Sequence, residues 1–346
     1  MSTNGRSASI SLAFPTRNQP DLALSTLKSA VDNASGNIPL EFVVVDDQSS
    51  DSDRAILRDG IASLRRQLGR SGPRIVSRFS NDRLGVARAR NRCAATASGD
   101  VLFITDGHVN LCPRWDEMAS AVPDSTIYAG TIRDQQSKFH GYGCTLVVPF
   151  MGTHWVRERP EDFVKTQVAA SPATILKRRL FLDIGGFDAG MNLYGAIEPE
   201  FSVRAWLWGA EILGYPDLEV FHYFKNKEER DGWLGEARPS MIHNAVRFGI
   251  LYLPEPLIIE MLRLYAMLFP ANVQEGYRSV NTKAAFKRRR FLSANMKRDF
   301  MWFCNEFQLL DQGGEPIFPP LEAALVAAGV ALESSQVEEL APDAAD

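Results

Sequence analysis

Short continuous apolar runs alternate with longer stretches whose apolar residues recur every three or four positions. Residues 9–14 (SISLAF) form a short apolar run ending at Pro15. Residues 21–31 carry helical spacing at Leu22, Leu24, Leu27 and Val31. Residues 41–45 (EFVVV) are a β-branched run closed by two aspartates, and residues 53–68 are amphipathic. Residues 74–78 read as a weak strand, 85–98 as an Ala-rich helix, and 101–105 (VLFIT) as another buried strand. Strand and helix alternating in this way predict a parallel sheet with crossover helices. In such sheets ligands gather at the carboxyl ends of the strands. That rule directs attention to Pro15-Thr16-Arg17, Asp46-Asp47 and Asp106-Gly107-His108.

Further along, the pattern is less regular. Residues 126–132 and 143–148 are short strand candidates within a Gly- and aromatic-rich stretch. Order returns with a helix predicted over 199–208 and a strand over 218–221, and beyond about residue 230 the pattern is mainly helical. Residues 333–346 are Ala-rich and acidic without a basic residue, and are expected to be disordered. The apolar segment 257–269 is broken by Glu260 and Arg263. No run reaches the ~18 apolar residues of a membrane-spanning helix, and the polar N-terminus is not a secretory signal. The length of 346 residues suggests about two domains, and one large α/β unit with additions fits equally.

Charge and cysteine content narrow the class. A formal charge of −4 argues against general affinity for nucleic acid, which needs a positive excess. Cys93, Cys112, Cys144 and Cys304 form no CxxC pair, so neither a zinc site nor a disulfide framework is expected, and a cytoplasmic, reducing setting is. One stretch, residues 283–298, departs from the neutral average. Lys283, Lys287, Arg288, Arg289, Arg290, Lys297 and Arg298 are interleaved there with Phe286, Phe291 and Met296. Such a stretch fits an anionic membrane surface, a peptide or nucleic acid, and equally a helix with a solvated basic face. With residues 257–269 it is a candidate for shaping an acceptor groove or a homodimer contact.

The candidate chemistry lies at strand ends. If the backbone stays extended, Asp106 and His108 point the same way. A carboxylate beside an imidazole suits a divalent cation such as Mn²⁺; Asp106-Gly107 reads equally as a turn, with Gly107 there for close approach or an unusual φ. His222 follows an apolar run and is a further candidate ligand. Asp46-Asp47 is too exposed a place for core residues, so the pair is expected either to bind a base or ribose or to cap the next helix. Arg83, Arg88 and Arg90 are placed to oppose phosphates or to hold Asp106, or else form a solvated helix face. Glu198 and Glu200 flank Pro199 at a predicted helix start, where the dipole favours them and a general base facing a pocket is an alternative use.

Order and spacing add what single residues lack. Over residues 10–225 the chain resembles GT-A-fold glycosyltransferases of the family-2 type, and its second half is similar to polypeptide N-acetylgalactosaminyltransferases and chondroitin-polymerase-like enzymes. Pro15-Thr16-Arg17-Asn18 matches the nucleotide-contact loop, and Val44-Val45-Asp46-Asp47-Gln48-Ser49 the element whose second Asp contacts uracil. Arg83 stands at the diphosphate-side arginine, Asp106-Gly107-His108 at the DxD or DxH motif, and Gly185-Gly186-Phe187-Asp188 at the GGFD element. His222 stands at the later metal-binding histidine. Tyr194-Gly195-Ala196-Ile197-Glu198-Pro199-Glu200 replaces the W-G-G-E element: Tyr194 takes the Trp position, Ile197 the position of a donor-holding Glu, and Glu198 that of the inverting base.

The resemblance implies an α/β, Rossmann-like nucleotide-diphospho-sugar transferase fold. A GT-A catalytic domain is expected over 1–225, divided into a nucleotide-binding half (1–120) and an acceptor-side half (121–225), with a helical extension over 226–332. It also implies a UDP-sugar donor and Mn²⁺ (or Mg²⁺) held by Asp106, His108 and His222. Pro15, Thr16, Arg17, Asp46 and Asp47 would hold the nucleoside, and Arg83 and Lys225 the phosphates. Glu198 would deprotonate an acceptor hydroxyl of a peptide, glycan or specialised molecule with inversion. Retention, as in the polypeptide transferases, and a catalytically silent sugar-nucleotide binding protein are the alternatives.

Overall fold

The computed structural model describes residues 8–225 and 227–309, without the side chains of 227–234. The acidic stretch 333–346 and the end of the expected extension lie outside the described residues. The first half runs β1 (Ile10–Thr16), α1 (Pro20–Asp32), β2 (Leu40–Asp47), α2 (Asp51–Leu68), β3 (Arg74–Ser80), α3 (Val86–Thr96), β4 (Val101–Ile104), β5 (Val109–Leu111) and α4 (Trp115–Ser120). Then come β6 (Thr126–Asp134), β7 (His140–Gly141), β8 (Cys144–Val147), β9 (Gly152–Trp155), β10 (Val164–Lys165), β11 (Thr174–Lys177), α5 (Arg178–Ile184), α6 (Ile197–Trp208) and β12 (Glu211–His222). Five helices close the described chain: α7 (Lys227–Tyr252), α8 (Glu255–Leu268), α9 (Pro270–Val280), α10 (Lys283–Asn295) and α11 (Phe300–Glu306).

One mixed sheet organises the fold, in the order β10-β12-β6-β11-β4-β1-β2-β3, with β5 paired to β12 and β7 to β6. β4, β1, β2 and β3 are mutually parallel, as the early alternation predicts. β2 reads as a continuous apolar run because it is covered on both faces: Phe42, Val43, Val44 and Val45 have no exposed surface. α3 packs on β1 and β2, and α1 packs on β5 and α2. α1 opens with Pro20 in its first turn and buries Ala23, Leu27 and Ala30, a stripe at helical spacing. The Ser50 side chain caps α2 by accepting from Asp53 N, and the chain leaves that helix through Gly69 at φ 67°.

The second half is less regular. β11, only four residues long, lies antiparallel between β4 and β6, and so joins the two halves into one sheet. The strand expected over 218–221 is the end of the much longer β12, whose pairing with β6 shifts register between Tyr215 and Glu219. That irregularity includes Pro216, which interrupts the strand pattern. α6 starts at Ile197, ahead of Pro199.

The C-terminal helices share one continuous apolar core with the sheet. α7 packs against α8, α9 and α10, and α11 against α6, where the Trp206 and Phe307 rings meet edge-on at 5.1 Å. The basic stretch divides in two. Arg289 donates to the Ile250 and Leu253 carbonyls, and Arg298 lies over the Trp302 ring at 4.0 Å. Phe286 and Phe291 remain 42% and 52% exposed, so α10 also keeps an outward face. No helix among the described residues is long and apolar enough to cross a membrane.

Candidate active site at the carboxyl ends of the strands

The loops after β1 and β2 are stitched together. Asn18 N donates to Ser49 Oγ at 2.9 Å, and Asn18 Oδ1 accepts from Ser50 N at 2.9 Å. This places Pro15, Thr16 and Arg17 beside Asp46 and Asp47. The two aspartates are not exposed, contrary to expectation: Asp46 is 0% and Asp47 3% exposed. Each is enclosed because it has its own cation. Arg54 Nε reaches Asp46 Oδ1 at 2.8 Å, and Arg83 pairs with Asp47. Asp47 also accepts from Leu84 N at 2.5 Å and Gly85 N at 3.1 Å, which fixes the chain entering α3. Burial lowers the Arg83 pKa; Asp47 opposes that shift and nearby Arg17 adds to it. Arg17 is exposed and within electrostatic reach of Arg83, so the two form a cationic rim over the Asp47 end of the sheet.

Asp106, His108 and His222 converge. One donor atom from each lies within 4.8 Å of the others. His108 Nε2 and His222 Nε2 are 3.0 Å apart, and Asp106 Oδ2 is 3.6 Å from His222 Nε2. The convergence arises through a turn at Gly107-His108 rather than through an extended backbone. Gly107 fits a close approach: a Cβ there would meet Phe14 Cδ2 and Pro15 O at 3.2 Å, tighter than ordinary van der Waals contact. β5 then pairs with β12 so that His222 faces Val109, one residue after His108.

The donor set fits a divalent cation. Two imidazole nitrogens face each other and a carboxylate oxygen at a spacing that one ion would bridge. Burial, opposed in part by Asp106, lowers the His108 pKa to about 4, so the ring is a neutral lone-pair donor at neutral pH. His222 Nδ1 is buried and finds no hydrogen-bond partner among the described residues.

Arg90 is the centre of the site. Its side chain, 4% exposed, reaches Asp106 Oδ1 with NH2 at 2.8 Å and Glu198 Oε1 with NH1 at 2.6 Å. Burial would lower its pKa, but the Glu198 and Asp106 carboxylates outweigh that and raise it. Burial alone would raise the pKa of Asp106; Arg90 and the two histidines instead hold it well below the usual carboxylate range. Of the two expected uses of the α3 arginines, holding Asp106 belongs to Arg90. Arg88 donates instead to Ala189 O at 2.9 Å.

Glu198 also accepts from Ser171 Oγ, a contact with no sequence signal because Ser171 opens a single 3-10 turn (Ser171–Ala173) before β11. Glu200 does not share the site. It is fully buried, doubly bonded by Arg204 at 2.8 and 2.9 Å and by Tyr252 Oη at 2.5 Å. Two residues on a helix point about 200° apart, which sends one glutamate to the site and the other to the core. The Tyr194 phenol has its pKa raised by burial first, then by the Glu198 and Asp106 carboxylates, so it lies within reach of both. Lys225, just past β12, acts electrostatically on His108. The GGFD element turns the chain through Gly185 and Gly186, at φ 90° and 63°, and its Asp188 is gripped by Arg247 of α7 at 2.8 and 3.1 Å.

Mouse (Mus musculus) polypeptide N-acetylgalactosaminyltransferase 12 is 25% identical over 304 residues, covering 81% of this chain and 48% of the relative. Human (Homo sapiens) polypeptide N-acetylgalactosaminyltransferase 15 is 25% identical over 288 residues, covering 72% and 44% respectively. The chain thus spans about half the length of the curated relatives it matches. Among solved structures, GalNAc-T7 with UDP, GalNAc and Mn²⁺ superposes with a TM-score of 0.66 at 17% identity, over 88% of this chain and 57% of that one. The likeness identifies the fold as the Rossmann-like GT-A fold. The model for glycosyl transferase family 2 matches residues 11–184, from β1 through α5, and the chain belongs to that family.

Proposed function

We propose that the protein transfers a sugar from a UDP-sugar to an acceptor hydroxyl, with a divalent cation held by Asp106, His108 and His222. One observation carries this: Arg90 ties the carboxylate of the Asp-His-His group to Glu198, so a cation site and a candidate base share one buried anchor. A bound Mn²⁺ or Mg²⁺ would act there as a Lewis acid toward the diphosphate.

The chain's own residues do the rest. The Pro15-Thr16-Arg17 loop and the Asp46-Asp47 end hold the nucleoside, with Asp47 already fixed in direction by Leu84 N and Gly85 N. Arg17, Arg83 and Lys225 supply positive charge along the phosphates. Tyr194 covers the sugar side. Glu198, oriented by Arg90 and Ser171, takes the proton from the acceptor hydroxyl as that oxygen attacks the anomeric carbon, which inverts the sugar. The acceptor class follows the relatives' names, with a peptide first and a glycan second.

Retention is the second mechanism, supported by the polypeptide N-acetylgalactosaminyltransferase relatives. A UDP-sugar panel tests the proposal. Mn²⁺-dependent UDP release, abolished by chelation and restored by metal, is expected for at least one donor. The anomeric configuration of the product then separates inversion from retention. UDP release at full rate in chelator overturns the metal assignment.

A further inference from the structure

Asn244 stands on α7, in a part of the chain where the sequence offers no motif, yet its carboxamide reaches back to the site. Nδ2 donates to Asn192 O at 2.9 Å, Tyr194 O at 3.0 Å and Gly195 O at 2.8 Å, and Oδ1 accepts from Asn192 N at 2.6 Å. The residue is fully buried. A short planar group with donors on one arm and an acceptor on the other is needed to satisfy this backbone. Asp lacks the donors, Gln is longer, and Leu has neither.

The gripped segment has no regular structure of its own and includes two consecutive left-handed residues, Gly195 at φ 95° and Ala196 at φ 52°. Ala196 is the N-cap of α6, and Glu198 lies in that helix's first turn. The segment is also walled in. Val86 N of α3 donates to Leu193 O at 3.0 Å, and a Cβ on Gly85 would meet Leu193 Cα at 2.8 Å. On the α7 side, a Cβ on Gly195 would meet Met241 Cγ at 2.7 Å. His243 contacts Gly190 O at 3.2 Å, next to the Asp188–Arg247 pair. α3, which carries Arg90, and α7 thus hold the segment from two sides.

We propose that Asn244 is a positioning residue for sugar transfer. By setting the backbone of residues 192–196, it fixes where α6 begins and so where Glu198 stands beside Arg90 and Asp106. This rests on the transferase function proposed above, with Glu198 as the base.

The test compares the full chain with N244A and the near-isosteric N244D in Mn²⁺. Calorimetry measures UDP binding, UDP release is followed from the donor that the unmutated chain uses best, and amide exchange compares residues 188–198 with β2. In both variants kcat is expected to fall at least ~10-fold, because a small misplacement of a reacting group is costly. UDP affinity is expected to stay within about threefold, because the residues assigned to nucleoside and phosphates lie outside 192–196, and the fall in kcat should exceed any change in donor KM, the pattern of a loss made chiefly in the transition state. Exchange should rise over 188–198 and stay unchanged in β2. N244D fills the same volume, so it separates the hydrogen bonds from packing; N244S replaces either variant that does not fold. Unchanged kcat in N244D, or exchange rising equally in β2, overturns the proposal. If the unmutated chain binds UDP and Mn²⁺ but releases UDP from no sugar nucleotide, the transferase function itself fails. Exchange over 188–198 still reports whether Asn244 holds the segment.

Discussion

The two ends of the site use carboxylates differently. At the end of β2 each aspartate has its own arginine, Asp46 with Arg54 and Asp47 with Arg83. At the ends of β4 and α6 a single arginine, Arg90, serves both Asp106 and Glu198. One-to-one pairs fix each group separately, and losing one leaves its neighbour in place. A shared cation makes two groups interdependent, so their separation is set by the span of one guanidinium. That suits a reaction in which a leaving group and an attacking oxygen must be held at a set distance.

The largest effect should come from breaking the shared anchor. Arg90→Ala leaves two carboxylates facing each other without a cation, and should cost about 3–5 kcal/mol of stability together with nearly all UDP release. Denaturant unfolding and turnover, measured on the same preparation, should fall together. A variant that loses turnover at full stability would show that Arg90 has no structural share. Next, Glu198→Gln should lower transfer by about 10²-fold while UDP binding persists; unchanged transfer removes Glu198 from the base role. At the other end, Asp46→Asn weakens a charged hydrogen bond to Arg54 and should cost about 1.5–3 kcal/mol, read as a shift in unfolding midpoint. Faster amide exchange at Leu84 and Gly85, which Asp47 holds, would mean that the two β2 pairs are not independent of each other. The smallest effect is expected for Arg74→Ala. Arg74 pairs with Glu41 at the far end of β2, but its side chain is 62% exposed, so the loss should stay under about 1 kcal/mol.

The same contrast explains how much was legible in the sequence. β1, β2 and β4 announce themselves as compact apolar runs closed by turn or acidic residues, and α1 to α3 by their helical composition and spacing; the strand-end rule then points to Asp47, Asp106 and His108 without further help. His222 was legible as the end of an apolar run, although the length of β12 was not, because Pro216 and the register shift interrupt its alternation. β11 (TILK), no longer than β4 but half polar, offers no such apolar run, yet it joins the two halves of the sheet. Asp46 and Asp47 looked exposed because burial of a charge depends on a partner, and Arg83 lies 36 positions further along than Asp47. Ser171 and Asn244 carry no local pattern. Their roles exist only after tertiary packing brings them to Glu198 and to residues 192–195.

The pairing of β5 with β12 also bears on how the chain folds. His108 and His222 meet across 114 positions, and their contact depends on a ladder that starts only once β6 and β11 are in the sheet. Contacts of such large separation pay loop-closure entropy before they return anything, so they form late. A chain halted before β12 retains Asp106 and His108 but has no His222 to meet them. Completion of the Asp-His-His group is therefore a chemical report that the second half has docked, and its appearance during refolding should lag behind burial of the β1–β2 core.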